Sequence, residues 1–191
     1  RMEGALADRV KTAASDASGP IDLLWKTPSV LARFEGTGVI APETARAIGL
    51  TGPAARASSL DRDVRRDHPS GMWRFTHVPV STWRTGDVFA RAYVRALEVQ
   101  RSFAFVQEQL ASLPAGDVRV PVRPPARGAF ALALAEGWRG AICHAAMTDR
   151  HGKFARYKVV DPSFRNWFAL SLAMRGKQIS DFQLCNKSFN L

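Results

Sequence analysis

The sequence predicts an α+β fold, mainly a helical bundle with a small antiparallel β-sheet inserted. Two observations predict it: a long amphipathic helical pattern over residues 86–112, and strand-forming stretches that meet at a turn-rich segment, 148–153. The 191 residues suit one domain with its own core, or a large part of a bigger protein. We expect that domain to span 1–191, with 1–117 mostly helical and 118–191 holding the β-hairpin region and the C-terminal helices.

The N-terminal third predicts short helices separated by turns. Residues 3–15 can form one helix, and Ser18, Gly19 and Pro20 can start a second that Pro28 interrupts. "EGTGVIAP" (35–42) indicates a turn, and a short helix then runs from Pro42 towards Gly49. Residues 51–71 are dense in turn formers, and their arginines alternate with aspartates. We therefore expect a loop with local ion pairs there.

The long helix carries the strongest periodic signal. Its apolar residues recur every three or four positions, at Phe89, Tyr93, Ala96, Val99, Phe103, Val106 and Leu110. Thr85 or Gly86 can cap it, and Pro114 prevents its continuation. A helix this long needs partners, so we expect an exposed apolar face on the isolated domain, and dimerisation through it.

After a proline-rich connector, "VRVPVRPPARG" (118–128), the pattern changes to strands. "AFALALAEGWRGAICHAAMTD" and "KFARYKVVDPS" read as strands broken at Gly137 and at 148–153, where residues 149–152 suit a hairpin loop. Residues 164–176 predict a helix closed by Gly176, and 179–189 predict a final short helical turn.

The composition excludes several function classes. No apolar run approaches the roughly 20 residues of a membrane span, and the polar start predicts no signal peptide. Arg1 before Met2 suggests a cut chain. The sequence contains no HExxH, paired-cysteine, GxSxG or GxxxxGK[ST] motif, which argues against a self-contained zinc site and the common hydrolase and nucleotide sites. Cys143 and Cys185 lie far apart, and a reduced, cytosolic compartment is the default. His68 and His151 are expected to face solvent.

The net charge of +10 leaves several interpretations open. It suits nucleic acid, an anionic membrane surface or an acidic partner subunit, and a GC-rich genome that favours arginine would also produce it. The arginines are scattered and no nucleic-acid motif appears, so we do not expect nucleic-acid binding.

The stretch "EGWRGAICH" (136–144) places an arginine in an apolar run. On a strand, Trp138, Gly140, Ile142 and His144 would share one face, and Arg139, Ala141 and Cys143 the other. An arginine directed inward must meet an anion, a carboxylate or a metal-bound ligand. A structural salt bridge to a buried Asp or Glu explains it as well as a functional role does.

Several stretches, in this order, resemble one family. They are "RFEGTGVI", "GLTGPAARASSLDRDVRRDHP", "GDVFARAYVRALEVQRS", "LPAGDV", "EGWRGAICHAAMTDRHGKFARYKVVDPSFRNW" and "MRGKQISDFQL". Together they resemble the C-terminal half of the large subunit of nickel–iron hydrogenases, specifically the energy-converting, membrane-bound group of the formate hydrogenlyase type. They are also similar to the related 49-kDa quinone-site subunit of respiratory complex I (NADH dehydrogenase). The resemblance implies a hydrogenase large-subunit-like fold.

The resemblance gives Arg139 and His144 a catalytic role. In the family's hydrogenases, a proline-arginine-glycine segment holds its arginine over the nickel–iron centre, where it helps to activate dihydrogen. Arg139 and Gly140 match that segment, and His144 matches the histidine that closes the motif. Trp138 stands where the family has proline.

The same resemblance implies that this chain holds no metal by itself. The family's centre uses two CxxC pairs, and the last would fall near "SFNL" (188–191), where Asn190 and Leu191 replace the family's aspartate-proline. Cys185 comes too early, and Cys143 is expected to be a small core residue. A nickel–iron centre is therefore expected only in a full-length parent, and the fragment is not expected to be active alone.

The complex I likeness implies the partners. Arg56, Asp61 and Arg65 match an arginine-rich loop near the iron–sulfur subunit and the quinone cavity, and are candidates first for structural ion pairs and then for quinone or partner contact. The expected setting is peripheral, on the cytoplasmic side of the inner membrane beside a membrane arm, with the iron–sulfur cluster in a partner subunit. Two functions stay open: an oxidoreductase subunit that passes electrons through that partner, and a metal-free coupling or assembly subunit of a complex-I-like complex.

Overall fold

The structure is a computed structural model that describes residues 2–114, 116 and 119–191. The boundary expected between residues 117 and 118 lies outside the described residues, as do Arg1 and part of "LPAGDV". The elements, in chain order, are α1 (Met2–Trp25), α2 (Pro28–Phe34), α3 (Pro42–Ala47), α4 (Gly52–Ala57), α5 (Val64–Asp67), α6 (Val88–Ala111), β1 (Phe130–Gly137), β2 (Gly140–Thr148), β3 (Phe154–Val160), α7 (Ser163–Ala173) and α8 (Phe182–Phe189). Short 3-10 turns cover Gly71–Arg74 and Ile179–Asp181. The predicted α+β class, helical with a small antiparallel sheet, is confirmed.

Helix α6 is the central element, because α1, α2, α4 and α8 all pack against it. The predicted long helix is confirmed, but its cap is neither Thr85 nor Gly86. The Asp87 carboxylate accepts the Ala90 amide proton at 2.8 Å, as an N-cap does. The same carboxylate accepts from the Thr85 hydroxyl at 2.8 Å and the Gly36 amide at 2.9 Å. One buried aspartate therefore starts the helix and ties the 35–38 turn to it.

The first helix is longer than the sequence predicts. Residues 2–25 form one helix, α1, with Pro20 inside it, so the predicted new start at Ser18–Pro20 is wrong. Pro20 cannot donate to the carbonyl of Asp16, which costs the helix one bond. Packing on α6 offsets this loss: Trp25 contacts Phe89 and Tyr93, each at a ring-centroid distance of 5.5 Å. Pro28 then begins α2, as proline in a first turn can.

The charged segment 51–71 is also more regular than its composition suggests. It contains α4 and α5, where we expected a loop. Every residue of α4 is buried, and Pro53 stands in its first turn. The side chain of Asp63 accepts from the Arg65 amide and so caps α5. The local pairing is confirmed, since Arg65 contacts Asp63 at 2.6 Å and Arg66 contacts Asp61 at 2.8 Å.

The sheet is an antiparallel meander in the order β1-β2-β3. Gly137 pairs with Gly140, so Trp138 and Arg139 form the two-residue turn of the first hairpin. The predicted alternation of Trp138 and Arg139 along a strand is therefore wrong, because the chain reverses between them. The loop at residues 149–152 is confirmed as the second hairpin connection, with Gly152 at φ 81°. His68 and His151 are exposed, as expected.

A contiguous apolar core lies between α3, α4, the start of α6, α7 and α8. Its buried members are Ile40, Ala45, Leu50, Ala54, Ala55, Leu60, Val88, Ala169, Leu170, Ala173, Cys185 and Phe189. Apolar side chains remain exposed on elements other than the long helix: Phe164, Trp167 and Phe168 on α7, and Phe154, Tyr157, Val159 and Val160 on β3. On α6 itself, Trp25 of α1 covers Phe89 and Tyr93, whereas Val106 is 40% exposed. Dimerisation stays a prediction.

A close backbone crossing fixes the sheet to the helices. A Cβ atom on Gly52 would lie 2.4 Å from the Gly140 Cα, and one on Gly140 would lie 2.3 Å from the Thr51 hydroxyl oxygen. Only glycine at both positions lets α4 and the first hairpin approach this closely.

We predict that Gly52→Ala destabilises the fold far more than Gly176→Ala. The two glycines have nearly the same φ, 68° and 69°, so the backbone cost of about 1–2 kcal/mol is shared. Gly176 has open space around its Cα, whereas Gly52 meets backbone, and overpacking adds about 1–3 kcal/mol. Urea denaturation of the two variants measures the difference. Equal losses of stability would show that the crossing is not tight.

Candidate functional site

The first hairpin turn, Trp138–Arg139, is held by three separate parts of the chain. Behind it, Gly140 rests on Thr51 and Gly52. Below it, the buried side-chain amide of Asn166, on α7, donates to the Arg139 carbonyl at 3.0 Å. Beside it, Arg139 Nε donates to the Asn190 carbonyl at 2.5 Å. The backbone of Arg139 is thus fixed while its side chain stays exposed.

Arg139 is therefore not the buried arginine of this chain. Within the described part of the chain, the fully buried arginines are Arg56 and Arg91, each with 1% or less of its surface exposed. The apolar pattern of the long helix did not identify Arg91, which is not among the residues of that stripe. A signal was present, since Val88, Arg91 and Val94 follow helical spacing beside that stripe.

Two arginines of α6 donate hydrogen bonds to the end of α8. Arg91 donates to the Ser188 hydroxyl at 2.8 Å, to the Gly86 carbonyl at 2.7 Å and to the Gly38 carbonyl at 3.0 Å. Its guanidinium lies 4.2 Å from the centre of the Phe189 ring. Arg95, one turn later, donates to the Ser188 carbonyl. With Arg139 on Asn190, three arginines hold the segment Ser188–Asn190.

Neither Arg91 nor Arg95 has a carboxylate partner within salt-bridge distance among the described residues. Burial lowers the pKa of Arg91 to about 9 and that of Arg95 to about 10. Both still carry their charge at neutral pH. The segment Ser188–Asn190 therefore lies beside two positive charges, those of Arg91 and Arg95.

A second group of arginines, around Arg56, does have carboxylate partners, unlike Arg91 and Arg95. Arg56 Nε and Nη2 donate to the Glu98 carboxylate at 2.8 Å and 3.1 Å, and Nη1 donates to Glu136 at 2.8 Å and to the Arg62 carbonyl at 2.9 Å. Asp63 lies 3.4 Å from Nη1 and is shared with Arg65. We call Arg56, Asp63, Arg65, Glu98 and Glu136 the Arg56 cluster. It joins α4, α5, α6 and β1.

The Arg56 cluster contains more carboxylates than guanidinium groups. Burial raises the pKa of Glu136, and the charge and hydrogen bond of Arg56 offset this only in part. Burial opposes the charge of Asp63 as well, but hydrogen bonds from Arg65 and the charge of Arg56 lower its pKa. For Arg56, burial works against the charge, and Glu98 and Glu136 together raise its pKa. Each buried charge is therefore maintained by a neighbour on another element.

The structure thus places the sequence-predicted residues in different settings. Arg56 has its donors occupied inside the cluster, Arg65 is half-buried at the edge, and Asp61 is exposed and pairs with Arg66 instead. His144 lies on β2, where its Nδ1 is 2.6 Å from the Tyr157 hydroxyl. Five residues of strand separate it from Arg139, about 16 Å of chain, so the structure does not bring the two together. Sequence reasoning missed Glu98 and Glu136 as the partners of Arg56, since they are distant in the chain.

The described residues do not fit a nickel–iron centre. That centre needs several thiolates, and no group of three or more His, Cys, Asp or Glu side chains able to hold a metal occurs among the described residues. Cys143, on β2, is half-buried rather than a core residue, and Cys185 is fully buried on α8. Burial raises the pKa of Cys185, which favours the neutral thiol over the thiolate that a metal binds.

We predict that Arg56→Met destabilises the protein by about 3–5 kcal/mol, because it leaves the carboxylates of Glu136 and Glu98 without their cation. Arg66→Met is the matched control: Arg66 also contacts two aspartates, Asp61 and Asp67, but at the surface. Exposed pairs contribute about 0–1 kcal/mol. Chemical denaturation at neutral pH compares the two variants. A loss below about 1 kcal/mol in Arg56→Met would contradict the structural role of the cluster.

Comparisons with known proteins agree with this fold. The family model described as "Respiratory-chain NADH dehydrogenase, 49 Kd subunit" matches residues 3–127. Formate hydrogenlyase subunit 5 of Escherichia coli (strain K12) is 34% identical over 164 residues, which cover 86% of this chain and 29% of that protein. The carbon monoxide-induced hydrogenase of Rhodospirillum rubrum is 31% identical over 170 residues, covering 89% and 47%. NADH-quinone oxidoreductase subunit 4 of Thermus thermophilus is 30% identical over 186 residues, covering 83% and 46%.

A chain from the structure of the membrane-bound sulfane sulfur reductase, an archaeal respiratory membrane complex, shares the fold. It superposes with a TM-score of 0.89 at 23% identity, over 99% of this chain and 53% of that chain. This chain spans between about a third and a half of the length of the proteins it matches. None of the described helices combines the length and the apolarity that a membrane crossing requires. The resemblance is confirmed, and the chain belongs to the family of the 49-kDa subunit of respiratory-chain NADH dehydrogenase.

Proposed function

We propose that this chain is one domain (1–191) of the large subunit of a membrane-associated oxidoreductase complex, and that the subunit exchanges electrons with a neighbouring iron–sulfur subunit. The relatives support this, since their names describe a formate hydrogenlyase, a hydrogenase and NADH-quinone oxidoreductases. The proposed place is peripheral, on the cytoplasmic side of the inner membrane beside a membrane arm. The net charge of +10 suits an anionic membrane surface or an acidic neighbouring subunit.

One contact carries the proposal, the hydrogen bond from Arg139 to the Asn190 carbonyl. By resemblance, Arg139 is the arginine that faces the redox centre of the hydrogenases, and residues 188–191 are the region that introduces their last cysteine pair. The two regions are 51 residues apart in sequence, yet they touch here. The contact brings the two regions together, as a common redox site would need.

The proposed task of Arg139 is electrostatic. Its backbone is fixed by Asn166 and by the glycine crossing, so its guanidinium presents positive charge at a defined place without reorganisation. Preorganised charge of this kind stabilises negative charge that develops during a reaction. A nickel–iron centre, where present, would activate dihydrogen, and its thiolate ligands would have to come from other parts of a full-length parent.

The remaining sequence candidates fit partner contact better than chemistry. Arg65 and Asp61 lie at the accessible side of the Arg56 cluster and can face an iron–sulfur subunit or a quinone cavity. Arg56 would support them from inside. His144 can hold or pass a proton through its bond to Tyr157, at a distance from Arg139.

A second candidate function is a metal-free coupling or assembly subunit with the same fold. The observations that favour it are the departures from the hydrogenase motifs: Trp138 stands in place of the proline, and Asn190 and Leu191 replace the aspartate-proline. In that role, Arg139 would be a structural clamp on Asn190.

The proposal predicts that Arg139→Lys lowers electron transfer by the complex about 100-fold or more, because a preorganised donor is lost. Arg150→Lys is the matched control, since Arg150 also lies in a hairpin turn, at the other end of β2. It should change the rate less than about twofold, within the ±0.5 kcal/mol typical of surface positions. Rates are measured in host membranes with dihydrogen, formate and NADH as donors. A full rate in Arg139→Lys would favour the structural role.

Metal analysis of the full-length gene product, purified from its host with its neighbours, separates the two candidate functions. Stoichiometric nickel per large subunit would place Arg139 beside a hydrogen-activating centre. Iron confined to partner subunits, with no nickel, would exclude the hydrogenase and leave a quinone-linked or coupling subunit.

A further inference from the structure

An apolar groove runs along α6, beside the Trp138 turn. It consists of two cavities of about 360 Å³ and about 440 Å³, which share Val99 and Trp138 in their walls. Each lies within the roughly 300–1,000 Å³ of small-molecule sites. Helix α1 forms the facing wall, and α2 and α8 close one end. The groove is therefore elongated and almost entirely lined by apolar side chains.

The polar lining of the groove is cationic. Arg95 and Lys187 are its charged residues, and no acidic side chain is found among the described residues that line it. Arg95 uses Nη1 for the carbonyls of Arg91 and Ser188. Its Nε and Nη2 are buried and have no hydrogen-bond partner. Buried guanidinium donors without acceptors are costly, so this site favours an anion that can accept from them.

Trp138 places an aromatic ring over this cation. The Arg95 guanidinium lies 5.7 Å from the centre of the indole ring, where it gains a cation–π contact. Trp138 also stands at the junction of the two cavities. A ligand in the groove would therefore have its charged end beside Arg95 and its chain along the ring.

We propose that this groove binds an anionic amphiphile with a long apolar chain, its carboxylate or phosphate accepting from Arg95 Nε and Nη2 and its chain lying between α1 and α6. Charge complementarity selects the head group, since both lining charges are positive. Shape selects the tail, since the two cavities are collinear along α6. The site does not depend on the electron-transfer role of the subunit.

Quenching of Trp138 fluorescence by 9,10-dibromostearate tests the proposal on the full-length gene product after delipidation. We expect saturable quenching at micromolar probe, and binding at least tenfold tighter than that of 9,10-dibromostearyl alcohol, which has the same chain without the charge. Trp138→Phe identifies the share of quenching that belongs to this residue. Equal binding of acid and alcohol, or no saturable quenching, would overturn the proposal.

Arg95→Gln should remove the tenfold preference for the acid and leave the binding of the alcohol unchanged. If Arg95→Gln does not fold, as judged by circular dichroism, Lys187→Gln is the second variant, since Lys187 is exposed at the rim, and it should reduce the preference severalfold. A preference that survives Lys187→Gln intact in that case, or Arg95→Gln in a folded protein, would contradict the assigned head-group site. Mass spectrometry of lipid extracted from the untreated protein then distinguishes a free fatty acid from an acidic phospholipid as the source.

Discussion

The buried guanidinium of Arg56 is the interaction on which the rest of the arrangement depends. A buried charge is tolerated only if each donor meets an acceptor, and the acceptors of Arg56 come from α5, α6, β1 and the loop at Arg62. None of these segments could move alone without leaving a charge unpaired. The cluster therefore fixes the end of β1 against the helices at Glu136, three residues before Arg139. Burying these charges costs stability, as the raised pKa of the Glu136 carboxyl indicates.

The other constraint is the approach of the first hairpin to α4 and to the end of α8. Gly52 and Gly140 remove the side chains that would hold the two backbones apart, and Asn166 and Asn190 then bond to Arg139 from two sides. From α6, Arg91 and Arg95 donate hydrogen bonds to Ser188 in the same C-terminal segment. Arg139 therefore has an exposed side chain on a fixed backbone. The neighbouring segment Ser188–Asn190 is bound by the guanidinium groups of Arg91 and Arg95. The proposed redox role rests on this geometry.

Local sequence patterns predicted the elements better than their contacts. The stripe of α6, the glycine-rich turns and the hairpin loop at residues 149–152 all follow from neighbours within a few positions. Pro20 was misjudged because packing of Trp25 on α6 outweighs one lost helical bond. Residues 51–71 were misjudged because burial, which composition does not show, makes a helix of α4. The partners of Arg56 lie 42 and 80 residues away, and no periodicity connects them. The resemblance identified Arg139, but only the structure shows that its side chain is exposed and that the buried arginines are others.

The most direct test of this account is a structure of the full-length subunit in its complex, from which the surroundings of Arg139 can be measured. The account predicts that Arg139 Nε keeps its bond to the Asn190 carbonyl and that the guanidinium lines the cavity between this subunit and the iron–sulfur subunit. An Arg139 side chain that faces bulk solvent, with the iron–sulfur subunit seated on another surface, would contradict it.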